Sequence, residues 1–234
     1  MTKPELLNNI DHRNLRVETA RGAEYGDAIM CALTFPAEFR SVQAHYPIVF
    51  QKDDRGDFQP VALFGLQAEQ NLFLTGSRWD AHYVPLAVER QPFVIGIIDG
   101  EPMIHVDVEH PRVLAGTGQP VFRDHGGTTE YLEHVNSMLR ALHEGLQDTP
   151  AFVDALLRHK LLESFVLDVQ HDDGNQSRLV GYYTINRDRL RALDADTLGK
   201  LSAAGYLEPI YMIIASMSRL RDLIERQRRV APHA

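Results

Sequence analysis

The chain has one cysteine, Cys31, among 234 residues, so no intrachain disulfide can form and a cytoplasmic setting is favoured over an oxidising one. Cys31 sits in the apolar run Ile29-Met30-Cys31-Ala32-Leu33. A nucleophilic thiol needs access and positive surroundings, so a buried, inert sulfur is expected here. Positive charge is also scarce: 24 Lys and Arg stand against 32 Asp and Glu, for a formal net charge of -8. That balance excludes a broad nucleic-acid footprint, which requires a concentrated positive field. No run approaches the roughly 20 apolar residues that span a bilayer, so no membrane span is expected. The polar stretch from Met1 to Asn14 lacks the apolar core and cleavage pattern of a secretory signal. Export to the surface by a route needing no signal peptide is compatible with the same residues. Motifs are missing as well. There is no Gly-x-Ser-x-Gly elbow, no Gly-x-Gly-x-x-Gly or Walker loop and no His-Glu-x-x-His pair, which removes the common hydrolase, nucleotide-binding and zinc-protease readings.

What remains is the composition of a folded globular chain, 44% hydrophobic and 24% charged, with enough apolar surface for a sizeable core. Arg219, Arg221, Arg226, Arg228 and Arg229 form one local basic stretch that could face an anionic partner. Asp222 and Glu225 partly offset it, as on an ordinary solvated helix face.

The apolar pattern alternates in the first half and recurs at three- and four-residue spacing in the second. Strands are expected over Ile29–Phe35, Ile48–Phe50 and Pro60–Leu66, with a short helix beginning at Pro36-Ala37-Glu38. Pro47 pushes the chain out of helix before Ile48, and Asp53 to Asp57 forms a turn. Asn71–Leu74 reads as a short strand. Pro85 leaves Asp80–Glu89 open between helix and irregular chain. Asp99-Gly100 supplies the positive φ angles of a tight hairpin between Phe93–Ile98 and Met103–Val108. After the turn-rich segment 116–127, Thr128 or Thr129 caps a helix carrying Tyr131, Leu132, Val135, Met138, Leu139 and Leu142. Gly145 weakens its end, and Thr149-Pro150 starts a second helix. One more hairpin turns at Asp172-Asp173-Gly174-Asn175. Helices then resume near Arg187, with a cap at Asp194, a stop at Gly205 and a final helix over Ile210–Arg229. The expectation is an α+β fold: an antiparallel strand-rich N-terminal half packed with a helix-rich C-terminal half that contains one further β-hairpin. Residues 1-234 read as a single domain with two lobes, 1-115 strand-rich and 128-234 helix-rich.

Two constellations carry chemistry. Arg78, Trp79, Tyr83 and Arg90 combine rigid ring surface with permanent cations, which can bind a carboxylate while stacking a planar group, or anchor a protein interface. The structural alternative makes Trp79 and Tyr83 core-edge residues and pairs the arginines internally. His105 and Asp107 share one side of a strand. With His125, His134 or His143 as third ligand they would form the facial triad of a non-haem iron site, and Fe(II) is the cofactor of that alternative alone. His134 and His143 do not stack on one helical face as i and i+4 ligands would. No cofactor is expected otherwise.

The chain resembles the bacterial SapC family over nearly its full length. The resemblance rests on Leu7-Asn8-Asn9 with His12, Ala37-Glu38-Phe39, Tyr46-Pro47-Ile48-Val49-Phe50 and Asn71-Leu72-Phe73 followed by Arg78-Trp79. It continues through Tyr83-Val84-Pro85, Arg90 with Pro92-Phe93, and Gly205-Tyr206-Leu207. It supplies no catalytic residues, and His105 is not part of it. The family name comes from a surface-layer locus, which implies a surface or assembly role. Relatives beside TonB-dependent receptors, flavin-dependent halogenase-like proteins and cupin-like proteins imply an accessory in nutrient uptake or modification. The sequence therefore leads to a non-catalytic binding or accessory protein. Its partner would be a protein of such a locus or a small carboxylate or aromatic ligand, and a homo-oligomer is compatible. An iron oxygenase-like enzyme and a surface-layer structural protein are the alternatives.

Overall fold

The computed structural model describes residues 3–170 and 176–230. The α+β class holds: antiparallel strands dominate the N-terminal half, and helices follow from Glu130 onward with one further hairpin among them. By contacts the chain divides into two compact units. The first comprises Met1–Ala28, Leu74–Trp79 and Leu86–Glu144, the second Ile29–Phe73, Asp80–Pro85 and Gly145–Ala234.

The first unit has a three-stranded antiparallel sheet in the order Pro4–Leu6, Glu101–Asp107, Phe93–Ile98. The expected hairpin is present. Asp99 at φ 52° and Gly100 at φ 85° give the two positive angles that match a two-residue turn to strand twist. Arg16–Val17 pairs with Gln119–Pro120 as a second small ribbon. Val17, Phe93, Val106, Val121, Leu132 and Leu139 lie in one buried cluster, and its helical members recur at the predicted spacing.

The second unit is built on a five-stranded antiparallel sheet, ordered Leu162–Gln170, Gln176–Ile185, Ile48–Lys52, Phe58–Leu63, Cys31–Leu33. The turn after Lys52 is held by Asp53, whose carboxylate accepts the amides of Arg55 and Asp57, each at 2.9 Å. Tyr46, Phe64 and Phe73 of this unit pack edge to face, with ring centroids 4.7 to 6.5 Å apart. The predicted turn at Asp172–Asn175 lies outside the described residues.

Three local expectations are corrected by tertiary packing. The two helices expected on either side of Gly145 and Pro150 are one continuous helix, Glu130–Arg158. Gly145 does not end it. An added Cβ there would lie 2.1 Å from Cδ2 of Phe35, so glycine is required for ring-against-backbone packing. Pro150 costs about 3 kcal/mol inside a helix, while burial of Phe152 and Leu156 one turn on contributes roughly 1.5–3 kcal/mol each; both side chains are at most 1% exposed. The final helix expected over Ile210–Arg229 is instead two, Leu207–Ser216 and Arg219–Val230. The Ser216 hydroxyl donates to Ile213 O at 2.6 Å and accepts the Ile48 amide at 2.9 Å, and Ser218 donates to Ala215 O. Hydroxyls that capture these groups compete with continued helix. Finally, Asn71 makes a local turn by accepting the Phe73 amide, and the strand falls later, with Leu74–Thr75 paired to Arg78–Trp79.

Gly145→Ala should therefore destabilise the protein. Helix propensity alone would favour alanine by about 1 kcal/mol, but overpacking against Phe35 costs about 1–3 kcal/mol. Urea unfolding of the single and double variants is expected to show a smaller loss when Phe35 is also changed to Leu. A stabilising Gly145→Ala would remove the packing argument.

Candidate functional site

A buried polar site lies in the first unit and grows from one short helix, Pro111–Leu114. Pro111 suits the first helical position, and His110 Nδ1 accepts the Arg112 amide at 3.2 Å. This cap aims the Arg112 side chain inward, where the residue is 2% exposed. Its Nη2 donates to both oxygens of the fully buried Asp27 at 2.9 and 2.8 Å. Its Nη1 donates to the carbonyls of Glu18 and Ala20 at 3.0 and 2.6 Å. Asp27 also accepts the Gly22 amide at 3.0 Å. One guanidinium thus fastens the whole segment from Glu18 to Asp27.

Arg21, on that segment, completes the arrangement. Its Nη1 lies 3.5 Å from Asp27 Oδ1, its Nη2 donates to Glu89, and its guanidinium sits 5.9 Å from the centre of the Trp79 ring. Glu18, Arg21, Glu89, Gln91, Arg112 and Tyr131 line a cavity of about 260 Å³, with His134 at its wall. Burial pushes the Tyr131 phenol up to about 12, so it remains a protonated donor at neutral pH. Gln91 Oε1 is buried and has no hydrogen-bond partner among the described residues. An unsatisfied acceptor of this kind costs about 1–3 kcal/mol. Beside it, every carboxylate and guanidinium named above is paired.

Of the four residues singled out in the sequence, Arg78, Trp79 and Arg90 belong to the first unit and Tyr83 to the second. Trp79 is nearly buried under Arg21, and its neighbour Arg78 is exposed. Arg90 directs Nη1 to the Phe93 carbonyl at 2.5 Å, a local backbone contact immediately before Gln91. Tyr83 belongs to the second unit, where its hydroxyl donates to Glu38 Oε1 at 2.8 Å and its carbonyl accepts the Tyr46 hydroxyl.

His105 and Asp107 do share a strand. Asp107 Oδ1 accepts the amides of Lys3 and Glu109 at 2.9 and 3.2 Å, and His105 Nδ1 is 3.2 Å from Met103 O. Among the described residues no group of three or more His, Cys, Asp and Glu side chains is arranged to hold a metal ion. His125 is exposed and His143 half-buried. Cys31 is half-buried, and burial pushes its thiol up, away from nucleophilic reactivity.

Arg21, Asp27, Glu89, Gln91, Arg112 and Tyr131 gave no motif in the sequence. The central pair is 85 residues apart, and only pairing in space makes these residues a site. A family model described as SapC matches residues 7–223, nearly the whole chain. No curated protein and no solved structure matches significantly. No described helix is long and apolar enough to cross a membrane.

Arg112→Met should cost about 3–5 kcal/mol by leaving a buried carboxylate without its cation. Adding Asp27→Leu should recover much of that loss in urea unfolding, and simple additivity of the two variants would show that the pair is not coupled. His110 supplies a pH signature. Burial and then the Arg112 charge hold its imidazole below its ordinary value, against the opposite pull of Asp107 and Asp27. The unfolded imidazole titrates near about 6.5, so just below that pH the unfolded chain binds the proton and the folded one does not. The stability contributed by neutral His110 is therefore full above that value and lost as pH falls through the lowered folded value. His110→Asn keeps a capping acceptor without titrating and should flatten this part of the stability curve. Identical slopes for the two proteins would rule out His110 as the source.

Proposed function

The chain belongs to the SapC family, and we propose that it is a binding protein whose first unit takes a small, zwitterionic ligand of amino-acid size. The observation that carries this reading is Gln91 Oε1, buried and without a hydrogen-bond partner among the described residues, on a residue that lines a polar cavity. A ligand N–H would satisfy it. The charge inventory sets the ligand's character. Arg21 and Arg112 line the cavity together with Glu18 and Glu89, and Arg112 is paired with Asp27, so a bare anion meets no excess of positive charge. A zwitterion can direct an ammonium group to Gln91 and Glu89 and its carboxylate to Arg21 and the Tyr131 phenol. The volume of about 260 Å³ is below that of sites for drug-sized molecules, which limits the ligand to a few heavy atoms beyond its two charged groups.

In this reading Trp79 supports Arg21, and Arg90 fixes the backbone that presents Gln91. The broader role is that of an accessory protein in uptake, modification or surface assembly, with capture of the small molecule as its contribution. Paired, preorganised charges suit recognition because they hold their geometry before the ligand arrives.

Thermal unfolding of the full chain in the presence of each free amino acid and of small monocarboxylates tests the proposal. At 100 times Kd a ligand stabilises by about 2.7 kcal/mol, so at least one amino acid should raise the midpoint by several degrees. Gln91→Leu should raise the unliganded midpoint, by removing an unsatisfied acceptor, and abolish the response. Absence of any response in the parent protein, or a full response in Gln91→Leu, would refute it.

A further inference from the structure

The second unit contains a larger cavity, of about 500 Å³, between the strands Cys31–Leu33 and Phe58–Leu63 and the C-terminal part of the long helix. Leu146, Pro150, Val153 and Leu157 recur along one helix face and give it an apolar wall, opposed by Leu33 and Phe58. Leu157 is 44% exposed, so apolar surface continues to the cavity mouth.

The polar lining is one-sided. Asp53, Asp57 and Asp154 contribute carboxylates, and none of the lining residues is Lys, Arg or His. Asp53 is held by the amides of Arg55 and Asp57 and by Gln59 Nε2 at 3.0 Å. Those backbone bonds, that of Asp57 foremost, keep its carboxyl below the usual range, so it stays ionised at neutral pH. Asp57 and Asp154 are exposed. The two cations on the same hairpin do not neutralise the cavity from within: Lys52 Nζ lies over the Phe58 and Tyr183 rings at 5.0 and 5.8 Å, and Arg55 is exposed at the turn. Pro150 adds a further feature. Having no N–H, it cannot serve the carbonyl of Leu146 one turn earlier, and both residues line the cavity. A backbone acceptor at the apolar wall thus lacks its ordinary helical donor.

We propose that this cavity binds a small organic cation with an apolar body, an aryl- or alkylammonium. Its volume is within the range of about 300–1,000 Å³ typical of small-molecule sites. The apolar part is sequestered between helix and sheet, while the ammonium lies towards Asp57, Asp154 and the Leu146 carbonyl. An anion of the same shape meets repulsion, and a neutral analogue forfeits the electrostatic gain. The site shares no lining residue with the cavity around Gln91 and has the opposite character, apolar and acidic where the other is polar and charge-balanced.

Three probes with the same aromatic body and different head groups test this by calorimetric titration of the full chain: phenylethylamine, phenylethanol and phenylpropionate. The amine should bind about tenfold more tightly than the alcohol, as two partly screened ion pairs provide, and the acid should not bind. Asp57→Asn with Asp154→Asn, both at exposed positions, should erase the amine's advantage. Leu157→Lys should block it with a tethered ammonium. Failure of the amine to bind, equal affinity for amine and alcohol, or persistence of the advantage in the double Asn variant would each overturn the proposal.

Discussion

The ion pair between Arg112 and Asp27 is the constraint on which the first unit's site depends. Each charge is expensive to remove from water, by several kcal/mol even after relaxation, and the pair is tolerable only when its remaining hydrogen-bonding capacity is filled. Here it is filled. Both Asp27 oxygens receive Arg112 Nη2, the Gly22 amide adds a further donor, and Nη1 satisfies two carbonyls of the same loop. Because those partners are backbone groups, the pair fixes chain path as well as charge. Arg21 is consequently held where it can reach Asp27, Glu89 and the Trp79 ring together. The cavity wall is a result of that chain path.

The second unit solves a different problem, by apolar packing with backbone compromises. Phe35 displaces the side chain that residue 145 would otherwise have, and Phe152 meets Phe39 and Tyr206 at ring-centroid distances of 6.2 and 5.5 Å. These contacts carry the helix Glu130–Arg158 through a glycine and a proline. Where the determinant was local, the sequence was legible. Asp99-Gly100 specifies its own turn, Asp194 caps through its own carboxylate at 2.7 Å from the Thr197 amide, and Gly205 takes the left-handed conformation at φ 74° after its helix. The helix through Pro150 and the break after Ser216 were not legible, because they are decided by Phe152 in a core and by the Ile48 amide on a distant strand.

The same distinction governs the site. Arg78, Trp79, Tyr83 and Arg90 are close in sequence, but they are divided between the two units and each has its own local partners. Tyr83 spends its hydroxyl on Glu38, and Arg90 spends a guanidinium nitrogen on the backbone. Several residues that carry the family resemblance have local structural work of this kind. Asn8 accepts the amides of Ile10 and Asp11, and Tyr46 donates to the Tyr83 carbonyl. Trp79 is the member of that group that reaches the site, through Arg21. Composition showed that acidic residues outnumber basic ones. It held no information on which arginine would meet which aspartate.

The central claim is that the first unit holds a small zwitterion whose donor satisfies Gln91. Native mass spectrometry of the intact protein, isolated under non-denaturing conditions from cells expressing it, addresses this most directly. The account predicts a mass increment equal to one small amino-acid-like molecule in the parent protein and its absence from Gln91→Leu. Bare chain mass in both proteins, or the same increment in both, would contradict it.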